Sequence, residues 1–206
     1  AAALVMLAYW FPDNPFVDPV CGSGTIPIEA ALYGHNIAPG INRSFISEQW
    51  VNLVPDGLSD EVRDEADSLA NYDIELDIHG YDIDQNMIDI AQENSRAAGL
   101  THDITFKQLA VKDWQTSEVN GVIVANPPYG ERLSDKESVH ELYRQMGELY
   151  RPLTTWSKYI LTADMEFEKY YGAPATKRRK LYNGALRTDL YQYWGKKDRS
   201  KIKPLK

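Results

Sequence analysis

Short β-prone runs alternate with amphipathic stretches along most of this chain. That alternation restricts it to a mostly parallel sheet with helices packed on its faces. Phe16-Val17-Asp18 opens a first strand and Thr25 to Leu32 reads as a helix. Residues 36–57 carry turn signals, Pro39-Gly40 and Pro55-Asp56-Gly57. Ser59 is expected to cap an acidic helix running to about Leu69, with Val62, Ala66, Leu69 and Ala70 on one face. Ile74 to Tyr81 alternates as a second strand, and Asp84 caps a helix that Gly99 ends. Ile104-Thr105-Phe106 begins a third strand and Val122 to Ala125 forms a fourth. A helix from Ser138 to Tyr150 leads to a fifth strand at Tyr159-Ile160-Leu161. Two β-prone runs, Lys177 to Tyr182 and Leu186 to Trp194, flank Asn183-Gly184, the strongest short-range signal for a hairpin.

At 206 residues and 43% hydrophobic content, the chain has the size and apolar content for one domain with a full core. No apolar run reaches the roughly 18 residues of a membrane span, and no basic stretch precedes the opening AAALVMLAYW, so neither a membrane partner nor a secretory leader is expected. A single cysteine, Cys21, excludes an intramolecular disulfide and fits a reducing, cytoplasmic compartment. The net charge of −8 hides an asymmetry: residues 1–150 carry 8 basic against 25 acidic side chains, residues 151–206 carry 14 against 5. The basic end points either to a polyanion contact on one part of the surface or to a solvated tail. No residue pattern calls for a metal, and none fixes an oligomeric state.

Between the first strand and first helix lies Asp18-Pro19-Val20-Cys21-Gly22-Ser23-Gly24-Thr25. Glycines here let a ligand approach the backbone beside a helix N-terminus. A Walker-type phosphate loop is excluded because no lysine follows Gly24. A dinucleotide loop wants a third glycine where Pro27 stands, and an acid about 20 residues on, whereas Asp82 lies 58 residues beyond Gly24. S-adenosyl-L-methionine needs no phosphate cradle, only room for its methionyl part and an acid at the end of strand two for the ribose hydroxyls. Gly80-Tyr81-Asp82-Ile83-Asp84 supplies that acid as Asp82, with Ile83 beside it and Asp84 as the helix cap.

DPVCGSGTIPIEAAL, GYDID, NPPYGERL and RRKLYNGALRTDLYQYW, in this order, resemble the bacterial 23S ribosomal RNA guanine-N2 methyltransferase family, whose members have also been labelled N6-adenine-specific DNA methylases. The resemblance extends to the stretch Ala38 to Phe45 within the long connection before Asp82. It implies an α/β fold, the Rossmann-like, doubly wound class I S-adenosylmethionine-dependent methyltransferase sheet of order 3-2-1-4-5-7-6 with strand seven antiparallel. It also implies that residues 1–206 are one catalytic domain of a longer protein whose relatives usually carry an N-terminal RNA-binding THUMP domain. The family often has an acid just after strand three, near the adenine. This chain has Ala110 there, so Asp113 or backbone groups around Leu109 are expected to take that part.

Asn126-Pro127-Pro128-Tyr129 follows the apolar run Val122 to Ala125. In such an enzyme the target is an exocyclic base amine, whose lone pair is delocalised into the ring. Two acceptors at its hydrogens encourage it to pyramidalise toward the methyl donor. Asn126 supplies one through its side-chain oxygen and the Pro127 carbonyl the other, on a corner that Pro127 and Pro128 stiffen. Tyr129 offers a face for the base, a contact worth ~1–3 kcal/mol in single-stranded binding. No general base is required, so His35, His79, His102 and His140 read as surface or strand residues.

Arg132 is expected either to meet an RNA phosphate or to pair with Glu131. Lys177, Arg178, Arg179 and Lys180 are expected either to contact RNA phosphates or to protect an edge strand. Tyr191, Tyr193 and Trp194 read as packing residues. The resemblance favours guanine N2 in 23S ribosomal RNA or its precursor particle. The same corner would serve guanine N2 in transfer RNA or adenine N6 in DNA, and a non-catalytic RNA-binding assembly factor is the reading from another class.

Overall fold

The computed structural model describes residues 1–129 and 136–201. Seven strands form one sheet in the order β3-β2-β1-β4-β5-β7-β6. They are β1 (Phe16–Asp18), β2 (Ile78–Asp82), β3 (Ile104–Gln108), β4 (Val122–Ala125), β5 (Ser157–Thr162), β6 (Lys177–Asn183) and β7 (Leu186–Tyr193). The first five are parallel to one another, and β7 runs antiparallel to both β5 and β6. This is the class I methyltransferase sheet that the motif order implies.

Alternation along the strands sorts side chains between two cores. Phe16, Val122, Val124, Tyr159 and Leu190 join a cluster with Leu4 and Val5 of α1 (Ala2–Leu7) and Ile26, Ala30 and Ala31 of α2 (Thr25–Gly34). Val17, Ile123, Ala125, Ile160 and Tyr191 join another with Tyr143 and Met146 of α5 (Lys136–Tyr150) and Phe167 and Tyr171 of α6 (Phe167–Tyr171). Burial on both faces explains why β4 reads as an unbroken apolar run and why even Asp18, at the end of β1, is buried. Among the described residues, no helix is long and apolar enough to cross a membrane.

The second strand is shorter than its alternation suggests. Phe16 and Ile104 both pair with Ile78, so the paired strand begins there, with the Asp77 carbonyl just before it accepting from the Phe16 amide at 2.8 Å. The hairpin turn also sits one residue later. Asn183 pairs with Leu186, leaving Gly184 and Ala185 as the loop. Gly184, with φ of 61°, supplies the left-handed geometry that a two-residue turn asks of its first position.

The connection between α2 and β2 holds α3 (Leu58–Ser68) in a way the sequence pattern does not foretell. Its N-cap is Gly57, at φ of 82°, with no side-chain cap, so Ser59 lies inside the first turn. None of its residues is buried, and the expected apolar face stays open at Val62 and Leu69. Polar ties hold the segment instead. Arg63 pairs with Glu48, and the Asn36 amide donates to the Leu69 carbonyl at 2.9 Å.

His35 is the deepest of these ties and corrects its reading as a surface residue. It is buried, with Nδ1 at 2.9 Å from the Asn71 carbonyl and Nε2 at 2.8 Å from Asp103 Oδ1. It thus fastens both ends of this connection to the turn before β3. His35→Ala is expected to cost about 2–3 kcal/mol, from a cavity plus two acceptors left unpaired. The exposed His102→Ala should stay within about 0.5 kcal/mol. Urea unfolding of the two variants checks the difference.

Candidate active site

Loops at the carboxyl ends of β1, β2 and β4 meet over the sheet, where ligands bind in doubly wound folds. The first turn is held open by its glycines. Gly22 sits at φ of 52° with nothing within 4 Å of where a Cβ would be. Gly24, at φ of 80°, caps α2, and a Cβ there would lie 2.9 Å from both Ala91 and Phe106. One glycine thus leaves space and the other permits close packing. Asp82, the last residue of β2, ties this turn to the next helix. Its Oδ2 accepts from the Gly22 amide at 2.9 Å and its Oδ1 from the Asp84 amide at 3.0 Å. Each oxygen keeps a further acceptor site. Asp84 caps α4 (Gln85–Ala97) through the Asn86 amide at 2.9 Å, as its position implies.

The Asn126 corner rises from β4 on the other side. Asn126 is exposed and Pro127 is buried beneath it. The Tyr129 hydroxyl donates to Asn126 Oδ1 at 2.5 Å. Burial pushes the Tyr129 phenol up in pKa, so it keeps the proton it donates. From below, the hydroxyl of Tyr143 donates to the Pro128 carbonyl at 3.4 Å and lies 2.9 Å from Thr162 Oγ1. The corner is therefore braced by α5 and by the end of β5.

A cleft of about 610 Å³ joins these parts. Gly22, Asp82 and Ile83 form one side, Asn126 and Pro128 the other, and Ala110 the floor beyond β3. A second cavity, of about 310 Å³, lies on the Tyr129 side of the corner. Its wall includes Lys136 and His140 from α5, and Asp164 and Glu166 from the turn after β5.

A family description, UPF0020, RMKL-like, methyltransferase domain, matches residues 1–192. The chain belongs to this family. It is 56% identical over 196 residues to YpsC of Bacillus subtilis strain 168, whose name assigns it provisionally as an RNA methyltransferase, covering 95% of this chain and 51% of YpsC. It is 37% identical over 208 residues to the ribosomal RNA large subunit methyltransferase K/L of Syntrophotalea carbinolica, covering 94% and 29%. The solved structure of SMU.472, provisionally named a methyltransferase and complexed with SAH, superposes with a TM-score of 0.92 at 52% identity, covering 96% of this chain and 52% of that one. The chain therefore spans about half the length of YpsC and less than a third of the K/L protein.

Within this RMKL-like domain, the motif residues divide by what they do for the cleft. Gly22, Asp82, Ile83, Asn126 and Pro128 line it. Cys21 does not; its thiol is buried beside Gly80, and that burial pushes its pKa up. Ser23 and Thr25 pair their hydroxyls at 3.3 Å, and the Ser23 carbonyl accepts from Asn94 at 3.0 Å, so they shape the turn. Asp113 ends a 3₁₀ turn with its side chain exposed, while Leu109, Ala110 and Val111 face the cleft. Glu131 and Arg132 lie outside the described residues.

The basic residues Lys177 to Lys180 line neither cavity, although Leu186 on the other arm of their hairpin lines the second. Arg178 is engaged by Asp189 at 2.6 Å and stacks over Tyr191, whereas Lys177 and Lys180 are exposed and Arg179 is half-buried. Tyr191 is fully buried and Tyr193 donates to the Ala173 carbonyl at 3.1 Å, but Trp194, one residue past β7, is exposed and does not pack as expected. Sequence reading missed Leu142 and Gln145, one turn apart on α5 and facing the cleft, and the whole second cavity. An i, i+3 pair on the helix after β4 was the available signal for the first two.

Asp18 closes β1 and is buried, accepting from the Val20 amide at 3.1 Å. Burial pushes its carboxyl from 3.8 up to about 8; the Val20 bond works against this and the Asp82 charge adds to it. The unfolded chain releases this proton near the ordinary value while the native state holds it. Stability therefore falls as pH rises from about 4 to about 8 and levels off above. Asp18→Asn should remove that slope and gain stability at the alkaline end, on the order of a few kcal/mol. Urea midpoints of the two proteins across the window check this, and an unchanged slope in the variant would count against it.

Proposed function

We propose that the chain catalyses methyl transfer from S-adenosylmethionine to the exocyclic N2 amine of a guanine in large-subunit ribosomal RNA. The observation that carries this reading is the single cleft shared by Gly22, Asp82 and Asn126. The residues present fit the cofactor: the space in front of Gly22 is what a Cβ would fill, and Asp82 keeps acceptor sites for a pair of ribose hydroxyls. Leu109 to Val111 line the cleft beyond β3, where the adenine would lie against them in place of an acidic side chain. When bound, the cofactor supplies an electrophilic methyl group on a sulfonium sulfur.

Asn126 holds the amine through Oδ1, taking over the acceptor that the Tyr129 hydroxyl now occupies or sharing it through the second lone pair. Tyr129 then presents its ring to the base. Alignment of the two reactants supplies most of the acceleration. The nitrogen needs no prior deprotonation, since its proton becomes acidic only as the new bond forms. The likeness to proteins named for ribosomal RNA supports the choice of polymer.

The test is nucleoside mass spectrometry of large-subunit ribosomal RNA from strains with and without the full-length gene. Loss of N2-methylguanosine at one position is expected on deletion. Intact ribosomal RNA together with a mark lost from transfer RNA, or N6-methyladenine lost from DNA, would redirect the assignment.

A further inference from the structure

We infer that the cavity beside Tyr129 takes the edge of the target base and that Asp164 is its guanine-reading residue, accepting the ring N1–H next to the methylated amine. This rests on the guanine-N2 reading and deepens it. Tyr129 lines the cavity and its hydroxyl bonds Asn126 Oδ1, so one side chain joins this space to the amide that grips the amine. Asp164 stands in the turn after β5, the strand next to β4.

Its carboxylate is held from two sides, and its backbone amide is tied down as well. The Glu166 amide donates to Oδ1 at 2.8 Å, and His140 Nε2 lies 3.0 Å from Oδ2, where a carboxylate can only accept. His140 is itself clamped against Tyr170, ring centroids 3.7 Å apart and 12° from parallel. The Asp164 amide donates to Thr162 Oγ1 at 3.0 Å, and Thr162 meets Tyr143, which reaches the Pro128 carbonyl. A chain of hydrogen bonds thus ties Asp164 to the corner that carries Asn126. Each carboxylate oxygen still has one acceptor site left.

The chemistry of the base supplies the rest. Guanine alone among the four RNA bases has a ring N–H beside the carbon that bears its amine. In adenine and cytosine the corresponding ring nitrogen is an acceptor. Two fixed acceptors, Asn126 for the amine and Asp164 for the ring N–H, match guanine's donor–donor edge. They set a lone pair against the carboxylate for the other two amino bases. Sites built to bond one polar group reject analogues lacking it far more strongly than apolar pockets reject a missing methylene.

The experiment uses the full-length protein and an oligoribonucleotide carrying guanine or 2,6-diaminopurine at the mapped position. Both bases have the N2 amine, but the N1 of diaminopurine carries no hydrogen. The wild type is expected to prefer guanine by roughly a hundredfold in kcat/KM. Asp164→Asn, whose amide can donate to N1, should lose roughly tenfold on guanine and narrow the preference by roughly the same factor. Its calorimetric affinity for S-adenosylhomocysteine should match the wild type, which also reports that it has folded. Equal rates on the two bases with wild-type enzyme overturn the assignment whatever the variant does, as does an unchanged ratio in Asp164→Asn. Bound S-adenosylhomocysteine without methylation of guanine in any RNA would sink the guanine-N2 reading itself, and this inference with it.

Discussion

Asn126→Ala is expected to lower the single-turnover rate of methyl transfer by roughly 10²–10³-fold, the scale on which removing one preorganised hydrogen-bonding group acts. The affinity for S-adenosylhomocysteine should barely change. The reason lies in how the corner is mounted. β4 is buried along its whole length, Pro127 is buried beneath the amide, and Tyr143 secures the Pro128 carbonyl. Alanine removes the acceptor and leaves that mount standing. The cofactor side, built from Gly22, Asp82 and the backbone beyond β3, keeps all its bonds. Rapid-quench kinetics with calorimetry separates the two effects, and a variant of full activity would remove Asn126 from the chemistry.

Gly147→Ala should have the largest effect on stability. Gly147 lies on α5 where the helix meets the end of α6, and an added Cβ would fall on the carbonyl oxygen of Tyr171, well inside van der Waals contact. The obstacle is backbone, so no rotamer change relieves it. The two helices must part, disturbing the packing of Tyr143 on Phe167, whose rings cross 4.8 Å apart. A loss of about 3 kcal/mol or more is expected. Activity should fall as well, because Tyr143, Leu142 and Gln145 on the same helix brace or line the site. The control is Gly99→Ala, in open space at φ of 78°, where the cost is left-handed backbone alone and should be about 1 kcal/mol. Equal melting temperatures for the two variants would refute the close-contact argument.

The elements that were legible in the sequence are those whose signal is local. The apolar run of β4, the Asp84 cap, and the glycine that ends α4 each carry their reason within a few residues. The strand order came with the motif resemblance, because periodicity alone does not say which strands are neighbours. α3 lies within a residue of its expected bounds, but its cap is Gly57 and not Ser59, and what holds the segment was not legible, because Arg63, Asn36 and His35 act through partners 15 to 68 residues away. The same holds for the site. Gly22, Asp82 and Asn126 stand in contiguous motifs. Asp164 and His140 are single residues on different elements, joined only when β5 and α5 pack together.

The Tyr129 hydroxyl on Asn126 separates affinity from chemistry. A nucleobase amine arriving there swaps one hydrogen bond for another, so the exchange is close to neutral in free energy. Tight association must then be generated by ring stacking and by contacts along the polynucleotide. The amide acts on the barrier and hardly on the encounter, and substitutions at Asn126 should leave KM nearly where it was.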